Sequence, residues 1–198
     1  MIRAIVFDVG RVIVRLDPRP ILELMQERAA DCRDLKSLIQ GIALDEHECG
    51  RMSGEGLVER MRALTRLPVT PEELRAKWLD MFELEPDMVE LAQRLTARYR
   101  VYLLSNVGDL HWDHLCQQHG IDRLAHDALP SYVAGVMKPD AAIYAHAERR
   151  FALQPAATVF IDDRGENVDA ARARGWHGIV HASFDATRAK LRALGVDA

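Results

Sequence analysis

Asp8, Ser105, Lys138 and the pair Asp162-Asp163 are the residues of this chain whose types and order could do chemistry. Asp8 ends the apolar run Ile2-Arg3-Ala4-Ile5-Val6-Phe7, Ser105 closes Val101-Tyr102-Leu103-Leu104, Lys138 precedes Pro139, and Asp162-Asp163 closes Thr158-Val159-Phe160-Ile161. They supply a nucleophile, a hydroxyl, a cation and an acidic pair able to hold a metal. An aspartate attacks phosphorus only when its own charge and that of the phosphoryl group are both neutralised, which calls for a divalent cation and a nearby lysine. Asp8, Asp162, Asp163 and Lys138 would meet that need. The Gly10 carbonyl is within reach as a further ligand for Mg2+, which prefers an octahedral oxygen shell and keeps waters. Ser105 could donate to a non-bridging phosphate oxygen, Lys138 could pair with the same group, and the amides of Gly10 and Arg11 could form part of an anion cradle. Attack would leave an aspartyl phosphate for water to hydrolyse.

Taken singly, these residues have ordinary readings. Ser105 and Asp163 precede expected helices, where Ser and Asp are common caps, and a lysine before proline is usually a solvated loop cation. Asp8 is harder to dismiss, because an acid ending an apolar strand is costly to bury alone. Two adjacent carboxylates after a buried strand repel unless a cation or proton lies between them. Jointly the set favours catalysis.

The elements that must position these residues alternate. The first strand leads into a turn at Asp8-Val9-Gly10-Arg11, where Gly10 is expected to supply the backbone freedom. From about Asp17 to Glu85 the periodicity is helical throughout: Ile21, Leu22, Met25; then Leu57, Met61, Leu64; then Leu74, Trp78, Met81, Phe82. Ser53 and Thr70-Pro71-Glu72-Glu73 mark helix starts. After Pro86 the expected order is helix 87–98, strand 101–105, helix 109–119, an extended piece near 130–134, helix 140–152, strand 157–161, helix 166–174, strand 178–181 and helix 185–194. This is a doubly wound α/β pattern whose parallel strands deliver ligands to their carboxyl edge. The expected division is an α/β core of 1–16 and 86–198 and a helical lid of 17–85, joined by hinges near Leu16 and Glu85.

Composition sets bounds on partners. A net charge of −4 gives no basic field for nucleic acid or an anionic membrane. Cys32, Cys49 and Cys116 fit neither a disulfide framework nor a zinc ribbon. No run approaches a spanning helix and none reads as a leader, so the expectation is a soluble, untargeted, cytoplasmic protein, monomer or homodimer.

Phe7-Asp8-Val9-Gly10, Leu104-Ser105-Asn106, Lys138-Pro139 and Phe160-Ile161-Asp162-Asp163 resemble the four motifs of the haloacid dehalogenase-like (HAD) hydrolase superfamily. The inserted helices are similar to its C1-type cap. Val12-Ile13-Val14, Glu48-Cys49-Gly50-Arg51-Met52-Ser53, Leu110-His111 and Ala142-Ile143-Tyr144 resemble the α-D-glucose-1-phosphate phosphatase-like branch. The resemblance implies a Rossmann-like core of strand order 5-4-1-2-3 and a Mg2+-dependent phosphatase for a small phosphorylated metabolite, a sugar phosphate above all. It implies that Asp8 is nucleophile and metal ligand, Ser105 and Asn106 phosphate binders and Lys138 the neutralising cation. Asp163 is then the main fourth-motif metal ligand, with Asp162 a second ligand or its support.

One departure matters. Most phosphatases of the superfamily carry a second aspartate two residues after the nucleophile, which protonates the leaving group and activates water; here that position is Gly10. Such acid catalysis contributes about 10²–10⁴ in rate. Three ways out remain: a good leaving group; a donor from His111, Glu46, His47 or Glu48; or weakened activity. His111 and His114 otherwise read as surface residues of a helix, and Trp78 and Phe82 as lid core. The competing functions are a metal-independent dehalogenase-like hydrolase, which the acidic pair opposes, and a non-catalytic protein that binds a phosphometabolite or a partner. A receiver domain would need the acidic pair on the first strand, the reverse of the order here.

Overall fold

The computed structural model describes residues 1–28 and 34–198, so Cys32 falls outside the described residues. Seven strands are formed among them: β1 (Ala4–Phe7), β2 (Val14–Leu16), β3 (Phe82–Leu84), β4 (Arg100–Ser105), β5 (Asp127–Pro130), β6 (Thr158–Asp162) and β7 (His177–Val180). The helices are α1 (Arg19–Arg28), α2 (Leu35–Ile42), α3 (Leu44–Glu48), α4 (Gly54–Thr65), α5 (Pro71–Leu79), α6 (Pro86–Leu95), α7 (Asp109–His119), α8 (Ser131–Ala134), α9 (Ala141–Phe151), α10 (Gly165–Ala173) and α11 (Phe184–Ala193).

Every residue of β1 is buried, as a strand covered on both faces requires, and it lies at the centre of a parallel sheet of order β5-β4-β1-β6-β7. Counting core strands alone, this is the order 5-4-1-2-3 that the motifs imply. Ile5, Phe7, Leu103 and Ile161 meet Met88, Leu91 and Leu95 of α6 and Leu191 of α11 on one face. Val6, Leu104 and Phe160 meet Ile143, Tyr144 and Phe151 of α9 on the other. A third cluster, with Ile21, Met25, Leu57, Met61, Leu74 and Trp78, belongs to the helices between β2 and β3 and takes in Leu110 of α7. Leu110 is thus one of the side chains that join the inserted helices to the α/β core.

Helix starts follow their caps. Ser53 and Thr70 side chains accept from Gly56 N at 3.2 Å and Glu73 N at 3.1 Å. α7 and α10, by contrast, have Gly108 and Arg164 at their N-caps, so neither Ser105 nor Asp163 is used as one.

Three expectations are corrected. The inserted segment is not helical throughout: α5 stops at Leu79, and Phe82–Leu84 pairs antiparallel with Val14–Leu16 as β3. Met81-Phe82-Glu83-Leu84 reads equally as an alternating strand, and the Arg15–Glu83 ion pair across the ribbon selects that reading. The two crossings between core and insertion therefore run side by side. Near 130–134 the extended piece is β5, which ends at Pro130, and Ser131–Ala134 makes one helical turn instead. In the turn after β1 the left-handed residue is Arg11 (φ 57°), not Gly10, and a Cβ built on Gly10 meets nothing within 4 Å.

At Gly108 insertion and core approach closely enough that a Cβ there would lie 2.1 Å from Nε2 of the fully buried His47 on α3. Gly108→Ala is expected to force that ring aside at a cost of about 1–3 kcal/mol. A denaturant melt showing no loss of stability would contradict this packing.

Candidate active site

Parallel register brings the ends of β1, β4 and β6 level, since Phe7 pairs with both Leu103 and Ile161. Asp8, Ser105 and Asp162 consequently emerge at one carboxyl edge. Lys138 enters from the loop before α9, and its Nζ donates to Asp8 Oδ1 at 2.8 Å, Asp162 Oδ2 at 2.7 Å and the Leu104 carbonyl at 2.9 Å. All three ammonium protons are thus used at a site only 3% exposed. Asn106 fixes the lysine from behind: its Nδ2 donates to the Lys138 carbonyl at 2.9 Å, and the Lys138 amide donates to its Oδ1 at 2.8 Å. Asn106, implied as a phosphate binder, acts here as a positioning residue. The Ser105 hydroxyl, by contrast, has no hydrogen bond among the described residues.

The carboxylates divide by their partners. Asp8 Oδ1 also accepts the Val9 amide at 2.7 Å, leaving Oδ2 free of protein donors among the described residues. Asp162 is saturated: besides Lys138 it accepts the Arg164 amide at 2.8 Å and Asn167 Nδ2 at 3.0 Å from each oxygen. Asn167 is held in turn by the Tyr144 hydroxyl, which donates to its carbonyl at 2.7 Å. Asp163 is half-buried, and its one ion-pair partner among the described residues is Arg11, 4.0 Å away. One oxygen from each of Asp8, Asp162 and Asp163 lies within 4.8 Å of the others.

Burial pushes the Asp8 carboxyl up to about 6, against the pull of Lys138 and with the help of Asp162. Asp163 is raised by burial and by Asp162. Burial alone would depress Lys138, but Asp8 and Asp162 hold it above its ordinary value. Lys138→Met would leave two buried carboxylates without their cation and is expected to cost about 3–5 kcal/mol of stability. Equal denaturation midpoints for the two proteins would refute that account of the cluster.

A family model of haloacid dehalogenase-like hydrolases matches residues 2–175. The chain belongs to this family. It is 26% identical to a sesquiterpene phosphatase of Aspergillus oryzae over 97% of this chain and 96% of that one. With a D-ribitol-5-phosphate phosphatase of Bacteroides thetaiotaomicron it shares 29% identity over 89% and 90%. Its fold is that of a HAD family enzyme from Bacteroides thetaiotaomicron solved with magnesium and inorganic phosphate, at a TM-score of 0.81, 22% identity and coverage of 92% and 95%.

In this HAD-like hydrolase the candidate proton donors separate clearly. Glu46 is spent on Arg51, whose Nε donates to it at 2.7 Å and which holds its carboxyl below the usual range. His47 donates from Nδ1 to the Met52 carbonyl at 2.9 Å, turning its other nitrogen towards Gly108. His111 is not a surface residue: it is 5% exposed, stacked on Trp78 at 5.6 Å and edge-on to Phe82 at 5.0 Å. Burial drives its pKa down to about 3, so it carries no proton to give at neutral pH. His114 is half-buried, which leaves the exposed reading of this helix face incorrect for both.

Glu48 is the exception. It ends α3, its side chain has no hydrogen bond or ion pair among the described residues, and it lines the cavity that holds Asp8, Lys138 and Asp163. Burial, opposed by Lys138 and aided by Asp8, pushes its carboxyl up to about 7. Its carbonyl accepts the Ser131 hydroxyl at 2.6 Å, and the Ser131 Oγ accepts the Val107 amide at 2.9 Å, which ties α3 to the core beside the site.

Proposed function

We propose that the chain is a Mg2+-dependent phosphatase of small phosphomonoesters, working through an aspartyl phosphate under a lid formed by residues 17–85. The observation that carries this reading is the buried Lys138 ammonium shared between Asp8 and a saturated Asp162, with Asp163 beside them. Two named relatives are phosphatases for different organic groups, so the phosphoryl group is what their substrates share.

Three carboxylates around one ammonium leave excess negative charge, which a divalent cation fits. Asp8 Oδ2, Asp163 and the Gly10 carbonyl would hold it. The Gly10 carbonyl stands outside the local backbone bridge, which uses Val14 N to Val9 O and Arg11 N to Val14 O. Asp162 supports Lys138 rather than the metal, because its oxygens are already occupied. Bound Mg2+ would supply charge neutralisation at the phosphoryl oxygens.

In this scheme the Ser105 hydroxyl and the Arg11 guanidinium bind the phosphoryl group and orient it, and Lys138, whose three protons are already placed, offsets its charge. Asp8 attacks phosphorus, and the ester oxygen departs with a proton from Glu48. The Glu48 carboxylate then takes a proton from water, whose oxygen attacks the aspartyl phosphate at phosphorus to release phosphate and restore Asp8. The inserted helices limit the entry of other water.

Turnover of an aryl phosphate by purified protein with Mg2+, and its loss on chelation, is the expected result. Equal rates with and without the metal would reject the Mg2+ requirement, and no turnover of any phosphate ester would favour the dehalogenase-like or the non-catalytic alternative. The resemblance in sequence implies a sugar as the organic part of the ester; the walls of the adjoining cavity argue for another.

A further inference from the structure

Beside the Asp8 site lies a cavity of about 220 Å³. The two share Gly10, Arg11, Leu16, Glu48 and Asn106, so the space is continuous with the place where a phosphoryl group would sit. Beyond this shared mouth the walls change character. Val14, Ile39, Leu44, Met81, Phe82 and Leu115 form most of them, from β2, β3, the inserted helices and α7. The Trp78 and His111 rings complete these walls with their Nε1 and Nε2 atoms buried, and Ser105 is the one hydroxyl-bearing side chain of the lining among the described residues.

A polyhydroxylated ligand would bring several hydroxyl groups to these walls. Each one left without a partner costs roughly 1–3 kcal/mol by protein measures, and beyond the mouth the mostly apolar side chains of the lining offer a sugar few partners. An apolar group loses nothing there and gains from every methylene removed from water. The charges lie at the mouth instead, where Arg11 and Lys138 face the anionic end of an ester.

Resting on the phosphatase reading above, we propose that this cavity holds the organic part of the substrate and that this part is apolar. The substrate class is then an alkyl, isoprenoid or aryl phosphate monoester rather than a sugar phosphate. Glu48, at the junction of the two spaces, faces the ester oxygen that joins them.

The probe is a series of n-alkylphosphonates from methyl to pentyl, which cannot be hydrolysed at phosphorus–carbon, titrated calorimetrically into the full chain with Mg2+. Affinity is expected to rise by about threefold to fourfold per methylene, the factor that corresponds to about 0.8 kcal/mol of burial. Ile39→Gln, at a half-buried wall position, should flatten that rise; Leu16→Gln at the mouth serves as the second variant should the first not fold. In turnover, hexyl phosphate should exceed glucose 1-phosphate by at least 10²-fold in kcat/KM. A flat phosphonate series, no binding of any member, or a sugar phosphate preferred over the alkyl ester would each overturn the proposal. A rising series with no turnover of any ester would keep the cavity assignment and reject the phosphatase reading instead.

Discussion

Asp8→Asn is expected to abolish turnover, by at least about 10⁴-fold in kcat, while making the metal-free protein more stable. The first effect follows from removing the attacking oxygen, because losing a nucleophile forfeits the covalent route rather than one favourable contact. The second follows from the environment of Asp8, which burial holds at a pKa near 6 against an ordinary 3.8. A carboxyl whose folded pKa is raised contributes stability that is complete below its unfolded pKa and lost as pH rises through the folded one. Above pH 6 the native Asp8 charge therefore costs about 1–3 kcal/mol, and an amide of the same shape avoids that cost. Lys138 remains paired with Asp162 at 2.7 Å in the variant. Metal-free thermal melts at pH 8 should show the variant higher by several degrees, and the difference should vanish near pH 4. Retained activity would reject the aspartyl phosphate, and a less stable variant would reject the view of Asp8 as a strained, desolvated group.

Glu48→Gln should lower kcat for an alkyl phosphate by about 10²–10³, within the range that a positioned acid supplies. With an aryl phosphate the first release of phenolate should change by less than about tenfold, since a phenolate leaves with little help, while steady-state turnover still falls because Glu48 also takes the proton from water. The pH profile distinguishes proton transfer from packing. A general acid must be protonated, so the native rate should fall above about pH 7 as Glu48 ionises, and it should fall below about pH 6 as Asp8 takes up a proton. That alkaline limb should be missing in the variant. Gly10→Asp supplies a second check, because position 10 has open space for a side chain and lacks a left-handed backbone. Introduced together with Glu48→Gln, it should recover at least tenfold of the lost rate. An unchanged alkaline limb in Glu48→Gln would show that another group donates the proton.

The parts of the site that lie on strands were legible. Asp8, Ser105 and Asp162 follow runs of apolar residues whose burial leaves no alternative to a central parallel strand, and register then carries their side chains to one edge. Lys138 was legible by order alone; its role needed Asn106, which grips both sides of its backbone. Gly10 misled in one respect, because the turn after β1 places its positive φ on Arg11. A glycine in such a turn ordinarily supplies that conformation, and neither composition nor spacing tells which of two adjacent residues bears it.

The inserted segment was read less well, for reasons of physics. Met81 and Phe82 continue the spacing of Leu74 and Trp78, and helical and alternating patterns coincide over so short a stretch. The decision fell to Val14–Leu16, far away in sequence, which offers a strand to pair with. His111 read as exposed because its helix carries mixed polarity, and only Trp78 and Phe82 arriving from the insertion bury it.

By itself the sequence determined the strands of the sheet, because local apolar runs and the residues that end them carry that information along the chain; the order of the strands and the family came through the resemblance of its four motifs. The tertiary structure alone decided that Asp162 is saturated by Lys138, Arg164 and Asn167, that Glu48 rather than Glu46 or His47 faces Asp8, and that the neighbouring cavity is apolar. Those outcomes depend on which faces of the inserted helices meet the carboxyl edge. Contacts between segments remote in sequence set that meeting, and no periodicity within either segment encodes it.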